Sequence, residues 1–438
     1  MENYDVGVIG SGIGGLCAAV RLAKIGYKVV VLEKLPNLGG RYTTINYKGY
    51  NIPTGAWGVI YPKYGPVAQT LSDVGAKVKI RIPKPAHKYR IHGKDYEPPE
   101  KGGLLFLISV ASKNKKEAET VITALRRVLR WQEPPDEISF DEWLSEYTHN
   151  TAIHGIFNAM AIALLGVWEY EVPAGEFIRC LRNFAKFEMA FSLPENGLKG
   201  IIEALSTKII ENGGNILTKT EVKNIVIDDG KVKGIIGEKE GKKLEITCKA
   251  VISNTGPLQT INLGGKENFD RSYLKQTSAR IRPVGGMNII YASEKPLLDF
   301  DGILMLSESN LAITAMVPTL IAPELAPPGK HMLLLFQGMK SNNTKREIDI
   351  AIEEWKENLP ELKNYDEPLL VQSYHGDWPL NRAEQGYDIA QKVPGVENLY
   401  NVGDGVKPPG HIMAEGSAES ARLVVEDIKT RIKPSEDK

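Results

Sequence analysis

Gly10, Gly12 and Gly15, with Ile13 and Gly14 between them, follow directly on the apolar run 6–9. Glycines so placed suit the holding of a pyrophosphate. Without Cβ atoms the chain turns sharply from strand to helix, and a phosphate can approach backbone N–H groups where the helix dipole favours negative charge. A second run, 27–32, ends in Glu33, with Lys34 beside it. Glu33 lies 18 positions beyond Gly15, near the roughly 20 at which an acid accepts hydrogen bonds from an adenosine ribose. An acid at this point also disfavours a 2′-phosphate. Gly39-Gly40-Arg41 closes the unit.

The elements that must position these groups follow from the pattern. Residues 6–9 read as a buried parallel strand, and Leu16, Ala19, Leu22 and Ala23 form one apolar helix face that stops at Gly26. Residues 42–60, with Gly49, Gly55 and Gly58, read as hairpin and loop, and 77–96 as strands. Residues 113–193 are dominated by helical spacing broken at Pro134-Pro135 and Pro173. The chain then reverts to helix 200–212, strands near 216–236, a strand ending at Asn254, further strands over 283–337, a helix at 346–358 and a strand at 369–374. A short buried strand ends in Gly403-Asp404 before a final helix.

The expected fold is α/β: a Rossmann-like nucleotide-binding domain of discontinuous segments, 1–62, 198–265 and 385–438, with an inserted α+β substrate domain, 63–197 and 266–384, whose helical part is 113–193. The length, 438 residues, exceeds one simple core. Lysine plus arginine equals aspartate plus glutamate at 54 each, so no nucleic-acid partner is expected. Cys17, Cys180 and Cys248 form no CxxC pair, so neither a disulfide framework nor a zinc site is indicated, and no metal is expected. Reduced cysteines and an N-terminus without a basic leader suit a cytoplasmic protein. The apolar stretch 153–168 is shorter than the roughly 20 residues of a membrane span. It reads as core packing, with a tunnel wall or a peripheral membrane contact as alternatives.

Gly10 to Gly15, Glu33, Gly39-Gly40-Arg41, the strand ending at Asn254, and Gly403-Asp404 with the last helix together resemble the phytoene desaturase and flavin-containing amine oxidase superfamily of FAD-dependent oxidoreductases. The resemblance implies FAD as cofactor, with Glu33 on the adenosine ribose and Arg41 near the phosphates. It places the Val222 backbone at the adenine edge, Asp404 at the ribitol or pyrophosphate, and the helix start around Ile412 and Met413 facing the flavin. Gly40, Gly55, Ala56, Trp57, Asn254 and Gly403 join this set. Pro53 stands where the family often has an acid, and no tyrosine follows Tyr400, which favours the carotenoid-desaturase side over true amine oxidases.

The resemblance therefore implies desaturation or saturation of C–C bonds in a bulky apolar substrate. An amine-oxidase or protoporphyrinogen-oxidase type of reaction, or a non-redox isomerase, is the alternative. The electron acceptor and oligomeric state stay open, and no second GxGxxG turn points to a nicotinamide domain. For chemistry on the substrate the candidates are His411, Trp57 and Tyr374, with His375 and Trp378 nearby. His411 leads because a free imidazole titrates near neutrality. His87 and His92 read as part of a solvated basic edge strand, and Arg126, Arg127 and Arg130 with Trp131 as a wet helix face.

Overall fold

The computed structural model describes residues 2–341, 343–374, 379–381 and 389–435. Strand Glu2–Ile9 is central to the first sheet. It pairs in parallel with Val29–Leu32 on one side and Lys242–Ser253 on the other, and Asn215–Leu217 and Leu399–Asn401 extend the parallel set outward. Strands from three distant parts of the chain thus share one sheet. The strand Lys242–Ser253 shows how position writes sequence. Its first half alternates between exposed and buried where it pairs with the hairpin Thr220–Asp228 and Lys231–Lys239, and its last four residues are all buried at the parallel centre.

Helices Ile13–Lys24, Lys199–Glu211 and Met413–Arg431 cover one face of this sheet, through Leu16, Val20, Leu205, Ile209, Ala421 and Val425. The other face is covered by the hairpin and by Phe269, Tyr273 and Ile281. The first helix stops as its sequence indicates: Gly26 takes φ +89° and the Tyr27 N–H returns to the Leu22 carbonyl. Because that bond keeps Tyr27 in the turn, the second strand begins at Val29 and not at residue 27.

A second, seven-stranded sheet runs in the order Leu370–Tyr374, Gly286–Ser293, His331–Gly338, Ala312–Met316, Ile303–Leu306, His87–Ile91, Lys94–Tyr96. Against it lie helices Gly103–Ser112, Lys115–Arg130, Phe140–Ser145, Thr151–Leu165 and Ala174–Lys186. Besides a short helix at Pro66–Asp73, the helical region starts at Gly103, ahead of the expected 113, because Gly103–Ser112 is apolar on most sides and lacks an amphipathic stripe to betray it. Helix Thr151–Leu165 buries Ile153, Ile156, Phe157 and Met160 in the core. Its Gly155 lies so close to Ser307 that a Cβ there would stand 1.5 Å from the Ser307 carbonyl oxygen. Among the described residues no helix is long and apolar enough to cross a membrane.

Candidate functional site

The glycine loop is closed on itself by backbone. A Cβ on Gly15 would stand 2.3 Å from the Gly10 carbonyl oxygen, and one on Gly14 would meet Gly403 N at 3.2 Å and the Ser417 carbonyl at 3.3 Å. The loop therefore touches both the last strand's end and the last helix. Asn254 ties these parts: oriented to satisfy both partners, its amide oxygen accepts from Gly12 N–H and its nitrogen donates to the Val402 carbonyl, each at 3.2 Å. Its place is beneath the loop, so it acts as a positioning residue. Helix Ile13–Lys24 has no side-chain cap and no acid in its first turn, leaving N–H groups for an anion.

Glu33 is 5% exposed at the end of its strand. One carboxylate oxygen accepts from Ser11 N–H at 2.9 Å and Ser11 Oγ at 2.7 Å, the other from Leu35 N–H at 2.8 Å. These three bonds leave acceptor capacity for a ribose hydroxyl. Val222 lies close by: Thr220 N–H donates to the Glu33 carbonyl at 2.8 Å, and a bulge in the strand follows Val222. Lys34 is exposed at the rim.

Gly39 bridges to Gly12, and Gly40 takes φ +56° with its carbonyl accepting from Thr54 Oγ1 at 2.8 Å. Arg41 Nη2 stands 3.5 Å from Asp404 Oδ1, so residues from opposite ends of the chain meet at one place. Gly403, at φ +122°, donates its N–H to Ser420 Oγ at 3.0 Å. The residues present thus fit a dinucleotide: uncapped helix N–H groups, a cation by an acid, and a buried carboxylate with spare acceptor capacity around Cβ-free turns.

Beyond the loop opens a cavity with about 1110 Å³ of empty space, open solvent at its mouth included. Gly55, Ala56, Trp57, Ile412 and Met413 line it, as do Ala163 and Leu164 of the apolar helix, with Met189, Met305 and Phe336. Helix Met413–Arg431 presents its start here without a side-chain cap, and Met413 holds φ +36°, a conformation L-residues rarely adopt. Its dipole favours negative charge at this end. Glu415, in that first turn, is 2% exposed, and Val67 N–H donates to its carboxylate at 3.0 Å. Burial pushes its pKa up to about 7.

The three candidates for chemistry fare differently. Trp57 lines the cavity, donating from Nε1 to Asn288 Oδ1 at 3.1 Å. Tyr374 lies behind it: its hydroxyl donates to the Thr54 carbonyl at 2.9 Å and accepts from Asn288 Nδ2 at 3.1 Å, and burial raises its pKa. His411 does not line the cavity. The turn closed by its N–H to the Pro408 carbonyl sends the ring toward Phe187, 5.9 Å between centroids, where burial lowers its pKa. His375 and Trp378 lie outside the described residues.

The loop before the last helix is fixed by groups that sequence reasoning passed over. Lys407, 2% exposed, donates to Glu176 Oε1 at 2.8 Å, and the same carboxylate accepts from Gly410 N–H. His87 corrects the reading of its strand as a solvated edge. Ile303–Leu306 and Lys94–Tyr96 flank it, and His87 lines the cavity where burial lowers its pKa. The signal was the alternation His87, Tyr89, Ile91 on one face against Lys88 and Arg90 on the other. Asn288 was also legible, as a lone amide in the apolar strand Gly286–Ser293. The arginines 126, 127 and 130 are exposed, and so is Trp131 at 81%.

Residues 13–429 match the model of the flavin containing amine oxidoreductases. An uncharacterised protein of Methanocaldococcus jannaschii is 34% identical over 97% of this chain and 99% of its own. The crystal structure of an oxidoreductase from Methanosarcina mazei superposes with a TM-score of 0.84 at 31% identity, covering 96% of this chain and 100% of that one. The chloroplast prolycopene isomerase of Arabidopsis thaliana is 26% identical over 82% of this chain, which spans 65% of the plant enzyme's length. Matched over residues 13–429, the chain belongs to the flavin-containing amine oxidoreductase family.

Proposed function

We propose that this FAD-dependent enzyme acts on C–C bonds of a bulky apolar, polyprenoid- or carotenoid-like substrate. The observation that carries the reading is the cavity wall. Met160, Ala163, Leu164, Met189, Ile303, Met305 and Phe336 surround the space at the start of the last helix. Such a wall binds hydrocarbon by removing its surface from water, at about 25 cal/mol per Å². Among the lining residues Glu415 is the one carboxylate, and it is engaged by Val67 N–H and held near neutrality, which makes it a poor anchor for an ammonium group.

Held between the glycine loop, Glu33 and the Arg41–Asp404 pair, FAD would supply the capacity to take a hydride from a substrate C–H. The chain's own part is geometry. Gly55, Ala56 and Trp57 form one wall, and Trp57 is fixed by Asn288, which Gln372 and Tyr374 hold in turn. The helix start at Met413 supplies N–H donors where negative charge gathers. His87 is the neutral imidazole in the wall and the best-placed group to take or give a proton.

The test is anaerobic mixing of the yellow holoprotein with a polyprenoid and, separately, with a diamine. Bleaching of the flavin bands by the polyprenoid, with a product changed by two hydrogens, is expected. Bleaching by the diamine alone overturns the reading, and isomerised product without bleaching moves it to an isomerase, as the plant relative's name describes.

A further inference from the structure

We propose that Asp141, His154 and Glu169 form a divalent-cation site that clips the helical region together, away from the flavin. Asp141 lies in the first turn of Phe140–Ser145, His154 in the first turn of Thr151–Leu165, and Glu169 just beyond that helix's end. Each offers one ligand atom, and these atoms lie within 4.8 Å of one another. His154 Nδ1 stands 3.0 Å from Asp141 Oδ1 and 3.1 Å from Glu169 Oε1.

The far side of the imidazole decides what the site demands. Nε2 is 3.1 Å from the Thr148 carbonyl oxygen, which can only accept, so Nε2 carries hydrogen. In the neutral ring Nδ1 then presents a lone pair to two carboxylate oxygens, an arrangement that needs a proton or a metal cation among them. A proton on Nδ1 is shared between both acids and leaves one negative charge over. Glu169 is 8% exposed, and among the described residues no donor reaches its Oε2. A dipositive ion neutralises both carboxylates and supplies the partner that this oxygen lacks.

The surroundings match a ligand set. An imidazole that binds metal commonly gives its other N–H to a carbonyl, which fixes ring and tautomer, as Thr148 does here. The Glu169 N–H is held by Asn158 Oδ1 at 3.2 Å. Asp141, with a side chain 40% exposed, provides the way in. One nitrogen and two carboxylates suit zinc or manganese and lack the thiolate or thioether that a soft monovalent ion prefers. The role is structural, since the same helix reaches the cavity only near its other end, through Met160, Ala163 and Leu164.

The experiment uses the full-length FAD-loaded protein, stripped with chelator and titrated with zinc chloride by calorimetry and with manganese chloride by electron paramagnetic resonance. One saturable equivalent is expected, with a rise in melting temperature and no change in flavin content. His154→Gln and Asp141→Asn are each expected to weaken binding at least 10-fold, and His149→Ala, on the exposed neighbour, to leave it unchanged. Retained flavin content certifies that the variants fold. No saturable binding, binding unchanged in both site variants, or binding lost with His149→Ala overturns the proposal.

Discussion

Gly155→Ala should destabilise the protein, although alanine is the better helix former by about 1 kcal/mol. Gly155 sits in helix Thr151–Leu165, where a new Cβ would stand 1.5 Å from the Ser307 carbonyl oxygen, 2.6 Å from its carbon and 3.3 Å from its Cα. All three are backbone atoms, and Ser307 is held by its N–H and hydroxyl on the Arg90 carbonyl, so no side chain can swing aside. To restore even the shortest tolerable contact of 3.0 Å the helix must retreat by about 1.5 Å. Overpacking costs about 1–3 kcal/mol, and a clash with fixed backbone belongs at the upper end, so the net loss is about 2 kcal/mol after the helix gain.

At about 2.1 cal/mol/K per residue this lowers the melting temperature by roughly 2 °C if the whole chain unfolds together, and several times that if the helical region melts on its own. Differential scanning calorimetry measures it. The same retreat displaces Met160, Ala163 and Leu164 from the cavity wall, so turnover should fall while flavin content stays near wild type, the glycine loop being untouched. A variant that melts at or above the wild-type temperature refutes the claim that backbone contact sets the helix position.

Glu33→Ala should weaken FAD retention, read by flavin fluorescence on dilution. Unchanged affinity would show that its bonds to Ser11 and Leu35 are its whole role. Glu415 binds a proton more tightly folded than unfolded, so it withdraws stability as pH rises from its ordinary 4.5 toward about 7. Glu415→Gln should therefore gain about 3 kcal/mol over wild type at pH 8 and little at pH 4, in denaturant titrations at both values. His87 has a folded pKa below its ordinary 6.5, so stability falls as pH drops through 6.5. His87→Phe should flatten that fall, and an unaltered pH profile would mean that the imidazole is not buried in the cavity wall.

How much of the site could be read from the chain depends on whether its parts are neighbours in sequence. The glycine loop, Glu33 and Gly39-Gly40-Arg41 lie on one continuous strand–helix–strand unit whose turns each need a particular residue type, and the structure brings them together. The resemblance implied a place by the cofactor for Arg41 and for Asp404 separately, and their ion pair was not legible, since nothing local links positions so far apart. The cavity was not legible as a whole. Its wall takes single residues from the second sheet, the apolar helix and the segment 55–60, and each in isolation reads as ordinary core.

His411 and His87 show the difference most sharply. His411 drew attention because it stands two positions before a helix start that the resemblance sets toward the flavin, but closeness along the chain says nothing of direction. Pro408-Pro409-Gly410 turns there, and the turn is pinned from another domain's worth of sequence away: Glu176 takes the Gly410 N–H and the Lys407 ammonium, and Asn183 Nδ2 donates to the Gly410 carbonyl at 2.7 Å. Gly410, at φ +75°, has Arg179 Cβ 2.9 Å from where its own Cβ would be, so only glycine lets the loop lie so close to helix Ala174–Lys186. That contact sends the His411 ring toward Phe187. His87 had the opposite history. The lysines and arginine around it suggested a wet edge, yet strand geometry obliges every second residue to share a face, and a face that buries Tyr89 and Ile91 carries His87 inward with them. Composition misled where periodicity did not, because charge on one face of a strand is silent about the other.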